Sequence, residues 1–121
     1  MPVLIVDDEP LVRQVAKFVL EQQGLDVIEA YDGPSALAVA REAGGKLSLL
    51  LTDINMPGMT GIELAKSVNA EFAQIPVLFI SSAHYSEERL GRVVPGSAFL
   101  RKPFGAVTLI QAVKDLRALQ Q

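Results

Sequence analysis

The sequence predicts an α/β fold, a doubly wound sheet of five parallel strands alternating with five helices. Three observations carry that prediction. Short apolar runs alternate with segments whose apolar residues recur at helical spacing; the runs are apolar throughout instead of every second residue; and acidic, hydroxyl or basic residues follow directly after them. Strands buried on both faces need helices above and below, and right-handed crossovers between parallel strands supply them. At 121 residues the chain is long enough for one sizeable core and too short for two.

The elements follow in order. Val3–Val6 is the first strand, ended by acid at Asp7. Val12, Val15, Ala16 and Val19 then recur at helical spacing up to Gly24, with Pro10 suited to the first turn and Asp7, Asp8 or Glu9 readable as its N-cap. Residues 25–30 read as the second strand, and 34–43 as a helix opened by Asp32, Gly33 and Pro34 and closed by Gly44 and Gly45. Residues 47–52 form a continuous apolar third strand, which Asp53 ends. After a turn-rich stretch, Thr60 and Gly61 cap and start a third helix carrying Ile62, Ala65, Val68 and Phe72, and Met56 and Met59 read as loop packing. The fourth strand covers 75–80. The segment 86–94 is weaker: Ser86 suits an N-cap and Glu87 and Glu88 a first turn, but Gly91 comes early and Pro95 and Gly96 close it. Its apolar residues are Leu90, Val93 and Val94, so a short, loosely held helix is expected. A fifth strand over 97–100 precedes a last helix with Leu109, Val113 and Leu116 on one face, ending near Gln121.

Composition removes several chemistries. There is no cysteine, which excludes disulfides, thiolate metal sites and thiol nucleophiles, and His84 is the only histidine. It follows Ser81 in a polar loop and reads as a solvated residue. A net charge of -3 leaves no basic surplus to displace counterions from a nucleic acid, and no apolar stretch reaches the roughly 18 residues of a membrane helix. A cytoplasmic protein that binds neither nucleic acid nor membrane is expected. The available chemistry belongs to carboxylates, hydroxyls and lysine.

In doubly wound sheets, sites lie beyond the carboxyl ends of the strands. The residues there are Asp7, Asp8 and Glu9, then Asp53, then Ser81 and Ser82, then Lys102. Each has a plain reading alone, as a helix cap, a turn former or a solvated lysine. Together they fall on one sheet edge, where three carboxylates and one ammonium leave an excess of negative charge that a divalent cation would neutralise. Oxygen-only ligands select a hard ion, magnesium before zinc. A carboxylate beside magnesium, a lysine and a hydroxyl suits phosphoryl transfer, with Asp53 as the nucleophile forming an acyl phosphate. An aspartyl phosphatase fits less well, because Ile54 and Asn55 stand where such chemistry places an acid two residues after the nucleophile. A flavin module fits less well too, since acidic residues in the first loop repel a phosphate. A degenerate interaction domain would not need all of these groups.

The runs Leu4 to Glu9, Leu51 to Gly61, Val77 to Ala83 and Leu100 to Phe104, in this order and spacing, resemble the receiver domain of two-component response regulators over essentially the whole chain. The resemblance implies a flavodoxin-like strand order 2-1-3-4-5 and one receiver over residues 1–121. It implies that Asp53 is the phosphoacceptor, Asp8 a direct magnesium ligand, Asp7 a ligand through water, and the Asn55 backbone carbonyl a further contact. Ser81 takes the place of the switch hydroxyl, Lys102 that of the phosphoryl contact, and Phe99 that of the switch aromatic, often tyrosine; without a hydroxyl, its switching would rest on packing. Asn55 and Ala83 stand where hydrolysis is tuned. The expected partner is a histidine kinase or histidine phosphotransfer protein, docking over a rim that includes Leu11, Pro103 and Phe104. The chain is expected to act as a monomeric switch that assists its own phosphorylation and dephosphorylation, either freestanding or as the receiver of a hybrid kinase.

Overall fold

Strand and helix alternate without interruption through residues 1–118, the part of the chain that the computed structural model describes. In chain order the elements are β1 (Val3–Val6), α1 (Pro10–Gln22), β2 (Val27–Ala30), α2 (Gly33–Glu42), β3 (Leu49–Asp53), α3 (Gly61–Glu71), β4 (Val77–Ser81), α4 (Glu87–Val93), β5 (Ala98–Arg101) and α5 (Ala106–Ala118). All four strand pairings are parallel, and the order is β2-β1-β3-β4-β5, as expected. The expected helix end near Gln121 lies outside the described residues.

Side-chain alternation along the strands separates two apolar layers. Leu4, Val6, Leu50, Val77 and Phe79 face one side, under α2, α3 and α4. Val3, Ile5, Leu49, Leu51, Leu78 and Ile80 face the other, under α1 and α5. Each such fully buried side chain contributes roughly 1.5–3 kcal/mol of transfer free energy, which explains why the strands read as unbroken apolar runs.

From β2 onward the strands begin later in the sequence than their apolar runs. Leu47 and Ile75 are buried, yet their N–H groups close turns, donating to Gly45 and Phe72 carbonyls, and Leu25 N–H donates to Leu20 at the end of α1. Burial begins before the ladder does. At the far ends the ladder outlasts the apolar run: Asp53 and Ser81 close β3 and β4 instead of following them, and Arg101 closes β5. Val15 is also corrected: it is 53% exposed and lies outside the core that Ala16 and Leu20 enter, with Leu11 and Phe18 exposed beside it in the helical sequence. Phe72 is the C-cap residue of α3, one position past the helix.

The other local expectations hold. Asp32 accepts the Ser35 N–H and caps α2, and Thr60 and Glu63 form a reciprocal capping box on α3. Met56 is buried and Met59 packs over Gly33, while His84 is exposed. The α4 helix is seven residues long, capped by Ser86, with Leu90 its one fully buried residue and Val94 buried at its C-cap. Among the described residues no helix is long and apolar enough to cross a membrane.

Candidate functional site

The buried polar side chains gather at one edge: Asp7 just past β1, Thr52 and Asp53 ending β3, and Ser81 ending β4. Parallel pairing makes this unavoidable, because strands that run the same way finish together. Val6 stands opposite Thr52, Asp53 opposite Ile80, and Ser81 opposite Arg101. The backbone then carries Lys102 to the same edge, its N–H donating to the Ser81 carbonyl at 2.8 Å. The Lys102–Pro103 peptide is cis.

Lys102 Nζ lies 2.9 Å from Asp7 Oδ2, 3.1 Å from Glu9 Oε1 and 3.3 Å from Asp53 Oδ2. One ammonium thus serves three carboxylates. Burial, followed by the charge of Asp7, raises the Asp53 carboxyl above the ordinary range despite Lys102, and burial raises Asp7 as well. Burial would lower the Lys102 ammonium, but its contacts with Asp7, Glu9 and Asp53 outweigh that and raise it. The negative charge at this edge is therefore incompletely balanced.

Asp7 Oδ1 accepts the Glu9 N–H at 2.9 Å, and Arg13 Nη1 donates to the Asp7 carbonyl at 2.7 Å, fixing the first loop. Asp7 Oδ2 is buried and, although close to Lys102, has no aligned hydrogen bond. Carboxylate oxygens of Asp7, Asp8, Glu9 and Asp53 all lie within 4.8 Å of one another. A buried carboxylate oxygen met only by a shared, poorly aligned ammonium, in an all-oxygen cluster of excess negative charge, fits a hard divalent cation such as magnesium.

The third loop rests on backbone. Asn55 N–H donates to Asp53 Oδ1, Ile54 N–H to the Ile80 carbonyl, and Gly61 N–H to the Ile54 carbonyl. A Cβ at Gly61 would collide with the Asp53 carbonyl oxygen, so only glycine lets α3 begin so close to the end of β3. Ser81 Oγ donates to Asn55 Oδ1 at 2.6 Å and accepts the Ala83 N–H at 3.1 Å. Asn55 Nδ2 donates to the Tyr85 hydroxyl at 3.3 Å, and the Tyr85 ring meets Phe99 edge-on, centroids 6.0 Å apart.

The fold thus brings Asp7, Asp8, Asp53, Asn55, Ser81 and Lys102 to one edge, with half-buried Phe99 reached through Tyr85. Leu11, Pro103 and Phe104, with Val12, Val15 and Lys102, line a groove of about 270 Å³. Three participants had no assigned role here. Glu9 occupies the N-cap position of α1 without capping it, its carboxylate turned to Lys102 instead; the acidic run Asp7-Asp8-Glu9 was the available signal. Nothing in the sequence pointed to Arg13 or Tyr85.

Residues 3–114 match the family model described as the response regulator receiver domain. The chain is 37% identical to chemotaxis protein CheY-3 of Vibrio cholerae, over 90% of this chain and 85% of that protein. It is 34% identical to the sensor kinase CckA of Brucella abortus over 94% of this chain, but spans only 12% of that kinase's length. Among solved structures it superposes on the receiver domain of the hybrid histidine kinase CckA with a TM-score of 0.83 and 37% identity, covering 97% of this chain and 99% of that one. Receivers bind magnesium through acidic residues and meet histidine kinases or phosphotransfer proteins, and a family match across nearly the whole chain carries that class with it. The chain belongs to the response regulator receiver domains, the phosphoacceptor signalling switches of two-component systems.

Proposed function

We propose that residues 1–121 act as one receiver in which Asp53 takes a phosphoryl group from a partner phosphohistidine. The observation that carries the assignment is the meeting of Asp53 with Lys102 and Asp7 inside one carboxylate cluster at the strand ends. An Asp53 oxygen bonds to phosphorus as the donor's P–N bond breaks, and the imidazole takes the electron pair and then a proton. Asp7, Asp8, Asp53 and the Asn55 carbonyl would hold magnesium, which offsets charge on the transferring oxygens when bound. Asp8 would hold it directly and Asp7 through a water molecule. Lys102 follows the phosphoryl group in place of the carboxylates it now bridges. Ser81 donates its hydroxyl hydrogen to a phosphoryl oxygen, and Phe99 fills the space that Ser81 leaves.

The same groups assist both arrival and loss of phosphate, so the chain is a switch and no turnover acid or base is required. The donor protein, a histidine kinase or phosphotransfer protein, seats on Leu11, Pro103 and Phe104, which line an apolar groove together with Lys102. The setting is cytoplasmic. Incubation with acetyl phosphate and magnesium, followed by intact-mass measurement and peptide mapping, should find one added phosphoryl group on Asp53, absent in Asp53→Asn. Labelling elsewhere, or retained in that variant, overturns the assignment.

A further inference from the structure

Tyr85 reaches both switch residues, Phe99 by ring contact and Ser81 through the Asn55 amide. Its hydroxyl accepts from Asn55 Nδ2 at 3.3 Å, the same amide whose oxygen accepts from Ser81 Oγ at 2.6 Å, and its ring packs edge-on against Phe99. A serine hydroxyl has one hydrogen to give. Here it goes to Asn55, so none remains for an oxygen on Asp53 until that bond opens. An asparagine amide is planar, and fixing one end orients the other. With Nδ2 held by Tyr85, the oxygen end stays turned to Ser81; with that hold removed, the exposed Asn55 side chain rotates more freely and the Ser81 bond weakens.

We infer that Tyr85 is a positioning residue that acts through Asn55 to hold Ser81 in the unphosphorylated arrangement, and holds Phe99 in the same arrangement by ring contact. The inference rests on the roles given above to Asp53 and Ser81. It supplies, from another position, the aromatic hydroxyl that Phe99 lacks. On phosphorylation Ser81 exchanges its Asn55 partner for a phosphoryl oxygen, the amide loses one of its two anchors, and Phe99 leaves the Tyr85 ring. No covalent bond changes in this exchange.

The hold opposes the switched arrangement, so removing only the Tyr85 hydroxyl should favour that arrangement. The probe is beryllofluoride with magnesium, a phosphoryl mimic, titrated calorimetrically into the full chain. Tyr85→Phe keeps the ring against Phe99 and should bind the mimic about two- to fivefold more tightly, the scale of one partly exposed hydrogen bond. In an Asn55→Ala background, which keeps the backbone carbonyl, the added Tyr85→Phe change should have no effect. The Asn55 side-chain amide resonances, identified by their loss in Asn55→Ala, should move when the mimic binds to the natural sequence and should already be displaced in unliganded Tyr85→Phe. Unchanged affinity in Tyr85→Phe, or an equal change in both backgrounds, overturns the inference while leaving the acceptor assignment in place. Failure of the natural sequence to bind the mimic, or equal binding by Asp53→Asn, overturns the acceptor assignment and this inference with it.

Discussion

Asp53 is held at a thermodynamic cost that its proposed role explains. Burial and Asp7 raise its carboxyl, so at neutral pH its negative form is less comfortable folded than unfolded. At these two carboxyls the folded protein therefore binds protons more readily than the unfolded chain, and the contribution of Asp53 and Asp7 to stability rises as pH falls through their raised folded values. Asp53→Asn should raise Tm by a few degrees at pH 7, with the gain shrinking on acidification; an equal or lower Tm at pH 7 contradicts this. Gly61 carries the opposite expectation. Its missing Cβ would strike the Asp53 carbonyl, so Gly61→Ala should cost roughly 2 kcal/mol in denaturant unfolding, and an unchanged midpoint counts against the close approach. Asp7, Asp8, Asp53, Ser81 and Lys102 were legible because a residue following a strand must sit at the sheet edge whatever its neighbours do. Glu9 was legible at the same edge, but its contact with Lys102 was not, nor were the roles of Arg13 and Tyr85, since these contacts depend on how loops fold across a space that no local pattern encodes.

Among the elements, α4 stands apart. Leu90 is its one fully buried residue, whereas α2 and α3 each bury four. Gly91 adds backbone freedom, and a Cβ there would meet nothing within 4 Å. Hydrogen exchange should find residues 84–96 the least protected interior segment and the most altered by magnesium with beryllofluoride. Gly91→Ala should stabilise α4 by about 0.5–1 kcal/mol and slow exchange there while leaving β3 unchanged. Protection equal to that of α5 in the unsubstituted chain would refute the loose attachment. Element identity was legible throughout, including the short fourth helix; strand limits were not. Apolar residues report burial, and Leu47 and Ile75 are buried in turns, while Asp53, Ser81 and Arg101 keep ladder positions that their polarity disguised. Val15 kept the helical period but fell on the exposed side of α1, because periodicity gives spacing and leaves open how wide the covered stripe is.

For the molecule as a whole, a short α4 offers little continuous surface to a second copy, and a monomer is expected with or without the mimic. Light scattering across concentration tests this; a mass that doubles on adding magnesium and beryllofluoride would refute it. The sheet divides the molecule in a way that matters to signalling. Phe104 and Val12, in the groove proposed for the donor, pack with the layer under α1 and α5, while Tyr85 and Phe99 pack with the layer under α2, α3 and α4. Asp53 stands at the edge common to both. If the donor seats at α1 as proposed, delivery of phosphate and display of its effect fall on opposite sides of one wall, and the α4 side stays uncovered for a downstream reader.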